Sequence, residues 1–476
     1  MSQRTLLNGG LWIVIDKLGN QLGNLLLTIY LAKNLSPSDF GLVALLSIFI
    51  IIGQAISESG FTQALIYKHK NLTDLESNTA FWSTFGLSLL IYLILLFATE
   101  GISDFFGSSE LSDIAPILFL NIIFNSLSIV PRSRLTIDYN MKSQTVTGIF
   151  GLIISAFIAV YLVKNGYGYW ALVWMSVIKT VVNSIGLFVC NKWFPRVEFS
   201  FSIFSELWRF SSKLLIGSII ATVVNNITSL LIGKRYGQVE LGVYYQGQIY
   251  SNFLSSTAIA FIQKLTYSGM SEYKMDENKL NRYFTQSFYI LSLLVMPIFF
   301  GFSSVSSEFV YLFLGDKWVG SIDIIVALSI ASFFTSITSL NMISLNVVNR
   351  TDLFLKIDLI KHAISLTVLI FTYQFGIIAI AWGVTLSSFL GYLCTTYYPG
   401  SFYKFGFKEQ FKALIPLFIV CGIMYASTLV ISIDNVLVQL LAKIVISIMV
   451  YFFLVIAFKI KGFDRIIGMV RKVKNG

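Results

Sequence analysis

The chain has 476 residues, 56% of them hydrophobic and only 12% charged, against about 25% charged in an ordinary soluble domain. Apolar runs of roughly 20 residues, enough to cross a hydrocarbon core of about 30 Å, follow one another along almost the whole sequence and leave no room for a separate soluble domain. The formal net charge of +10 is therefore read first as a matter of where the loops sit, not as a nucleic-acid footprint.

About fourteen spanning helices are predicted, near 9–32, 41–65, 79–99, 114–131, 145–163, 167–190, 212–233, 241–263, 284–306, 319–346, 355–373, 376–397, 411–431 and 435–458. The first reads as a retained helix, because no small-residue cleavage pattern follows it. It carries Lys17, Gln21, Asn24 and Thr28 on one helical face, with Asp16 beside them. In the second, Glu58 follows Gln54 by one turn. The fourth presents Asn121, Asn125 and Ser128 with Arg132 at its end, and the sixth puts Lys179 and Asn183 on one face. The seventh echoes the first with Ser218, Thr222, Asn225 and Ser229, and Lys213 at its end suits snorkelling to the interface. Lys443, in the last helix, has no matching polar face. Cys190, Cys394, Cys421, His69 and His362 show no metal-ligand or redox spacing, and no Gly-rich loop ending in Lys-Ser or Lys-Thr occurs. Neither a metal, a cofactor nor an ATP-driven motor is expected.

Loop charge alternates along the chain. Lys68 with Lys70, Arg134 with Lys142, Lys192 with Arg196 and Arg209, and Lys274 with Lys279 and Arg282 share one side with both termini, while Glu100, Asp104, Glu110 and Asp113 lie on the other. About 25 of the 34 Lys and Arg residues fall on the first side and about 5 on the second, a bias that places both termini in the cytoplasm.

One turn occurs twice. LAKNLSPSDFGLVA at Leu31 to Ala44 and IGKRYGQVELGVYY at Ile232 to Tyr245 match Lys33 with Lys234, Asp39 with Glu240 and Gly41 with Gly242 without a gap. Pro37 suits a first helical turn and Asp39 a helix N-terminus. Weaker echoes follow in the same order: FFG at Phe105 to Gly107 with FLG at Phe313 to Gly315, and FNSL at Phe124 to Leu127 with FTSI at Phe334 to Ile337. Two six-helix lobes running in the same sense imply a pseudo-two-fold along the membrane normal. The expected division is an N-terminal lobe at 1–190, a cytoplasmic linker at 191–211, a C-terminal lobe at 212–400, and two extra helices with a basic tail at 401–476.

Polar groups facing lipid would be unsatisfied, so both stripes should face protein or a water-filled cavity between the lobes. Serine, threonine and asparagine also serve as hydrogen-bond glue between helices, an alternative open for the seventh helix; a lysine is poor glue. Intramembrane charges cost roughly 2.5 to 3.5 kcal/mol each on insertion scales and mark functional candidates. Lys17, Arg132 and Lys179 against Asp16 and Glu58 leave a basic excess in the first half, which suits a diphosphate, while the neutral groups Gln21, Asn24, Asn183, Thr222 and Asn225 suit sugar hydroxyls.

LSPSDFGLVA at Leu35 to Ala44, ESGFTQALIYKHKNLT at Glu58 to Thr73, TAFW at Thr79 to Trp82, YGYWALV at Tyr167 to Val173, IGKRYGQVELGVYYQGQ at Ile232 to Gln248 and FLGDKW at Phe313 to Trp318 carry a resemblance across the chain. The sequence resembles the colanic-acid and teichuronic-acid exporter type of Wzx-like flippase, in the multidrug/oligosaccharidyl-lipid/polysaccharide exporter superfamily. It departs at Gln246, where similar proteins often have Arg, and at KLTYSGMS, Lys264 to Ser271, where an expected Pro is missing. The resemblance implies an all-α bacterial inner-membrane protein that flips undecaprenyl-diphosphate-linked oligosaccharide units for surface polysaccharide synthesis. Membrane lipids and the polysaccharide polymerase machinery are the other implied partners.

The expected mechanism is alternating access. Lys17, Arg132 and Lys179 bind the anion, and Asp16 and Glu58 pair with those bases in the empty site or exchange H+ or Na+ as coupling ions. Rival readings are a peptidoglycan lipid-precursor flippase, a cation-coupled multidrug exporter of the same fold, and a membrane scaffold. The basic excess argues against the drug exporter, and a scaffold has no need of two matched polar stripes.

Overall fold

A computed structural model describes residues 3–58, 60–68, 72–273 and 275–463, leaving aside the side chains of 3–11, 13, 14, 210, 213, 214, 216, 265 and 268. His69 and the Lys213 side chain, both singled out in the sequence, thus lie outside the described residues. Every regular element described is helical, and the chain divides into two compact units, Met1–Tyr245 and Gln246–Gly476.

The first unit holds α1 (Gln3–Asn34), α2 (Pro37–Glu58), α3 (Phe61–Lys68), α4 (Asp74–Phe97), α5 (Thr99–Phe106), α6 (Glu110–Ile137), α7 (Met141–Lys164), α8 (Trp170–Asn191) and the start of α9 (Phe201–Glu272). Local chemistry sets the helix starts. Pro37 opens α2, where its missing N–H costs nothing. The Ser36 N–H and hydroxyl donate to the Asp39 carboxylate at 2.8 and 2.7 Å, and the Asp39 N–H returns a bond to Ser36 Oγ at 3.3 Å. Thr73 and Glu76 form the same reciprocal box at the start of α4. Asn140 caps α7 by accepting from the Ser143 N–H at 3.2 Å. Gly107, at φ 69°, closes α5 in the left-handed conformation that glycine adopts without strain.

Small residues decide how these helices pack. A side chain at Gly19 would come within 3.2 Å of Ile149, and one at Gly23 would overlap Leu152, so α1 lies close along α7. Gly151 brings α7 equally close to the Lys179 carbonyl, at 3.0 Å, so α7 seats on α8. α6 packs against α2, α4 and α8. The polar segment before α9 is pinned to α4: Asn78 accepts from the Arg196 N–H at 3.1 Å and donates to Glu198 at 3.0 Å, and Trp82 Nε1 donates to the Arg196 carbonyl at 2.8 Å.

The second unit continues with α10 (Glu277–Ser304), the single turn α11 (Ser306–Phe309), a π turn at Val310–Leu314, a 3-10 turn at Asp316–Trp318, α12 (Ser321–Val347), α13 (Thr351–Thr372), α14 (Ile377–Thr395), α15 (Tyr397–Tyr403), α16 (Phe407–Leu429) and α17 (Val436–Ala457). Its core is aromatic, with Phe284, Phe288, Phe299 and Phe333 fully buried. Buried hydrogen bonds tie the last helices to the rest. Asn341 on α12 and Gln410 on α16 exchange amide bonds at 3.2 Å, and the Tyr392 hydroxyl on α14 donates to Gln410 at 3.1 Å. Pro297 inside α10 cannot donate to the Leu293 carbonyl, and the Tyr451 hydroxyl of α17 takes that acceptor at 2.6 Å.

Ten helical stretches of the described residues are long and apolar enough to cross a membrane. Outside those ten are α1, with Asp16 and Lys17 in its middle, α13, with Lys356, Asp358 and Lys361, and α9, a 72-residue run broken only at Gly237 (φ 85°, ψ 180°). The sequence suggested a loop between 233 and 241. Lys234, Arg235 and Glu240 are helical, and the break between the two helices, inside that predicted loop, is confined to Gly237, whose φ favours glycine.

Candidate functional site

The repeated turn touches its own copy. A methyl group on Gly41 would fall far inside 3.0 Å of the Gln238 carbonyl, and one on Gly242 far inside 3.0 Å of the Pro37 carbonyl and 3.1 Å from the Gly41 nitrogen. The sequence offset that pairs Gly41 with Gly242 also pairs Pro37 with Gln238, so the contact is reciprocal, the pattern of a local two-fold between the two turns. Lys234 Nζ donates to the Phe105 carbonyl and sits 4.1 Å from the Phe105 ring centroid. The Ser108 hydroxyl reaches the Gln238 side chain at 3.1 Å. Both turns serve this contact, and none of the residues proposed to bind substrate lies in it.

Most of the predicted polar positions converge within the first unit. Lys179 of α8 donates from Nζ to Asn24 Oδ1 of α1 at 2.9 Å, and the Asn24 amide donates to the Asn20 carbonyl at 2.6 Å. Asn20 in turn donates to Asp16 Oδ1 at 2.9 Å. From α6, Arg132 is half-buried, leans on Ser128 Oγ at 3.3 Å, and feels the charges of Glu58 and Asp16; Lys179 also feels Asp16. Thr180, beside Lys179, donates to the buried Asn121 of α6 at 2.6 Å. Asn183 lies against Gly151 one turn further along α8, and Lys17 and Gln21 are half-buried on α1.

The expected charge pairing takes a different form. Asp16, Glu58, Arg132 and Lys179 make no salt bridge with one another among the described residues. Asp16 is held by Asn20, and Glu58 accepts from the Thr62 hydroxyl at 2.9 Å. Asp16 therefore acts on Arg132 and Lys179, and Glu58 on Arg132, through space and not as tight ion pairs. Thr222 and Asn225 stand apart. Asn225 is exposed, the Thr222 carbonyl accepts from Asn226 at 2.8 Å, and the described hydrogen bonds do not tie either residue to the α1–α8 cluster.

Sequence reasoning missed two features. Asn20 completes the Asp16 end of the cluster, and its signal was the spacing of four from Asp16. In the second unit, Lys443 of α17 meets Glu308 of α11 at 2.6 Å, Gln439 donates to the same oxygen at 2.7 Å, and both charged side chains are under a tenth exposed. The spacing of four between Gln439 and Lys443 was the only hint. His362 lies 3.3 Å from Asp358, and the described residues contain no cluster able to hold a metal.

Ten membrane-length helices, with a charged, hydrogen-bonded patch between α1, α6 and α8, define the class of a multi-pass membrane protein with a polar interior. The family model for "Polysaccharide biosynthesis protein" matches residues 30–323, more than half of the chain, and the chain belongs to this Wzx-like family of polysaccharide biosynthesis transporters, which are not enzymes. It is 24% identical over 310 residues to the succinoglycan biosynthesis transport protein ExoT of Rhizobium meliloti (strain 1021), an alignment covering 64% of this chain and 62% of that protein. It is 22% identical over 374 residues to the lipopolysaccharide biosynthesis protein WzxC of Escherichia coli (strain K12), covering 77% and 74%. For the teichuronic acid biosynthesis protein TuaB of Bacillus subtilis (strain 168), identity is 20% and coverage 79% and 78%. Among solved structures, lipid II flippase MurJ in an inward closed conformation matches with a TM-score of 0.75 at 15% identity, over 95% of this chain and 98% of that one. An inward-facing multidrug resistance MATE family transporter matches at 0.59 and 13%, over 83% and 99%. The fold is thus that of the MurJ and MATE transporters.

Proposed function

We propose that the chain flips an undecaprenyl-diphosphate-linked oligosaccharide from the inner to the outer leaflet of a bacterial cytoplasmic membrane, by alternating access and without ATP. The observation that carries this reading is the patch where Lys179 of α8 reaches Asn24 of α1 and where Arg132 and Lys179 feel the charge of Asp16; with Lys17 on the Asn24 face of α1, bases outnumber Asp16 and Glu58. Lys17, Arg132 and Lys179 with neutral Asn24, Gln21 and Asn183 would suit a diphosphate followed by sugar hydroxyls. A drug exporter that captures organic cations would be expected to show the opposite balance.

Fourteen spans follow if α1, α13 and the two segments of α9 join the ten apolar helices, with both termini cytoplasmic by the loop-charge bias. The reciprocal glycine contact supports two lobes, at 1–190 and 212–400, related by a pseudo-two-fold along the membrane normal. Thr222 and Asn225 then answer Gln21 and Asn24 from the second lobe. Asp16 and Glu58 are the positions at which H+ or Na+ would couple.

The test is surface polysaccharide measured at equal protein level in a Lys17→Ala/Lys179→Ala strain. Export should be abolished or severely reduced, and undiminished export would remove both lysines from the site. Deleting the gene should make one lipid-linked oligosaccharide accumulate. Accumulation of peptidoglycan precursor instead would assign the chain to cell-wall synthesis.

A further inference from the structure

In the second unit, the turn after α17 folds back over the first turns of α10. Lys459 (φ 46°) and Gly462 (φ 105°) both take the left-handed conformation, Ile460 is buried, and a side chain at Gly462 would come within 3.3 Å of Tyr289. This geometry is specific: glycine is needed both for its φ and for its closeness to α10. Its result is a cavity of about 430 Å³ lined by Asn281, Arg282, Thr285, Gln286, Tyr289 and Lys461. Among the described residues no carboxylate lines it, and neither Arg282 nor Lys461 is in a salt bridge.

The order of chemistry along the cavity is informative. Arg282 lies in the second turn of α10, Lys461 precedes Gly462, which packs on Tyr289, and the neutral donors Thr285, Gln286 and Tyr289 lie along the stretch of α10 between them. The span from Asn281 to Tyr289 is about 12 Å at the helical rise. Asn281 Oδ1 is buried and has no hydrogen-bond partner among the described residues, an acceptor that a headgroup hydroxyl would satisfy if the amide turned into the cavity. One turn beyond Tyr289, the seam between α10 and α17 becomes an apolar groove of about 370 Å³ that begins at Leu293 and Leu294 and reaches Pro297, Ile448 and Phe452. A polar cavity holding two cations and neutral donors, followed along α10 by an apolar groove, matches a hydroxylated phosphate headgroup and its ester carbonyls followed by an acyl chain.

We propose that this cavity binds an anionic glycerophospholipid with a hydroxyl-bearing headgroup, at a site separate from the α1–α8 cluster. Free phosphate uses only the cationic end, and a polyprenyl phosphate has no ester carbonyls for Thr285, Gln286 and Tyr289.

The experiment is native mass spectrometry of the full-length protein in detergent, titrated separately with phosphatidylglycerol, phosphatidylcholine, undecaprenyl phosphate and inorganic phosphate. Phosphatidylglycerol should be retained over all three. In Arg282→Ala/Lys461→Ala its advantage over phosphatidylcholine should fall by about tenfold, the scale of one or two lost charge-assisted bonds. Thr285→Val/Tyr289→Phe should weaken both glycerophospholipids alike. Arg282→Lys/Lys461→Arg should keep the preference, which separates lost charge from lost fold. Equal retention of phosphatidylglycerol and phosphatidylcholine by the unaltered protein, or a preference untouched by the double alanine variant, overturns the site. Tighter retention of undecaprenyl phosphate, or displacement of phosphatidylglycerol by inorganic phosphate, overturns the assigned occupant.

Discussion

Adding one methyl group at Gly41 tests the reciprocal turn contact directly. A Cβ there would overlap the Gln238 carbonyl, which is backbone and cannot rotate aside, so the two turns must part by a distance on the order of 1 Å, and overpacking of this kind costs about 1 to 3 kcal/mol. Spread over an open–closed equilibrium of the contact, that energy is about 5- to 150-fold in population. The probe is Leu241→Cys in a background with Cys190, Cys394 and Cys421 replaced by Ser, because Leu241 is fully buried beside the contact. Membrane-impermeant maleimide should label it slowly with Gly41 present and about 5- to 150-fold faster in Gly41→Ala, with Gly242→Ala behaving alike. Gly101 is the control. It lies inside α5 with nothing within 4 Å of an added Cβ, so Gly101→Ala should stabilise by up to about 1 kcal/mol and leave labelling unchanged. If Gly41→Ala labels no faster than its parent, the tight contact does not exist in the membrane.

Two further perturbations read the interior and the surface. Lys443→Ala strands the Glu308 carboxylate, one of whose oxygens already lacks a partner, and should cost about 3 to 5 kcal/mol. A marked drop in the melting temperature of detergent-purified protein is expected, with Lys443→Met/Glu308→Gln recovering most of it; a Lys443→Ala protein that melts with the parent would show the pair to be dispensable. Thr73→Ala removes one half of the capping box on α4 and should cost only about 0.5 to 2 kcal/mol. A loss as large as that of Lys443→Ala would mean that Thr73 does more than cap.

Helix positions were legible because a membrane forces every span to be apolar for about 20 residues. Helix starts were less so. The predicted 79–99 begins at Asp74 and the predicted 145–163 at Met141, since Thr73 and Asn140 cap from polar stretches that hydropathy counts as loop. The stripe on α1 could be read because helical periodicity is local, and it brought Asp16, Lys17, Gln21 and Asn24 onto the same region of one helix. What the stripe meets could not be read. Lys179 and Asn24 are 155 residues apart, Lys443 and Glu308 135, and only packing sets such partners. The through-space charges of Arg132 and Glu58 belong to the same category, since a sequence shows that charges are present and not whether they touch.

The repeated turn links the two kinds of information. A duplicated segment keeps its spacing only where some position constrains it, and here the constrained position is a glycine in each copy whose missing side chain is filled by the other copy's backbone. Any one-residue slip of one turn against the other would bring a Cβ into a carbonyl, so the contact fixes register as well as proximity. The same offset runs back down the two helices that lead into the turns, pairing Asn24 with Asn225 and Gln21 with Thr222. Gly41 and Gly242 are matched because the close approach of backbone requires glycine at both, while Lys17 and Ser218, at the same offset but outside the contact, differ in charge.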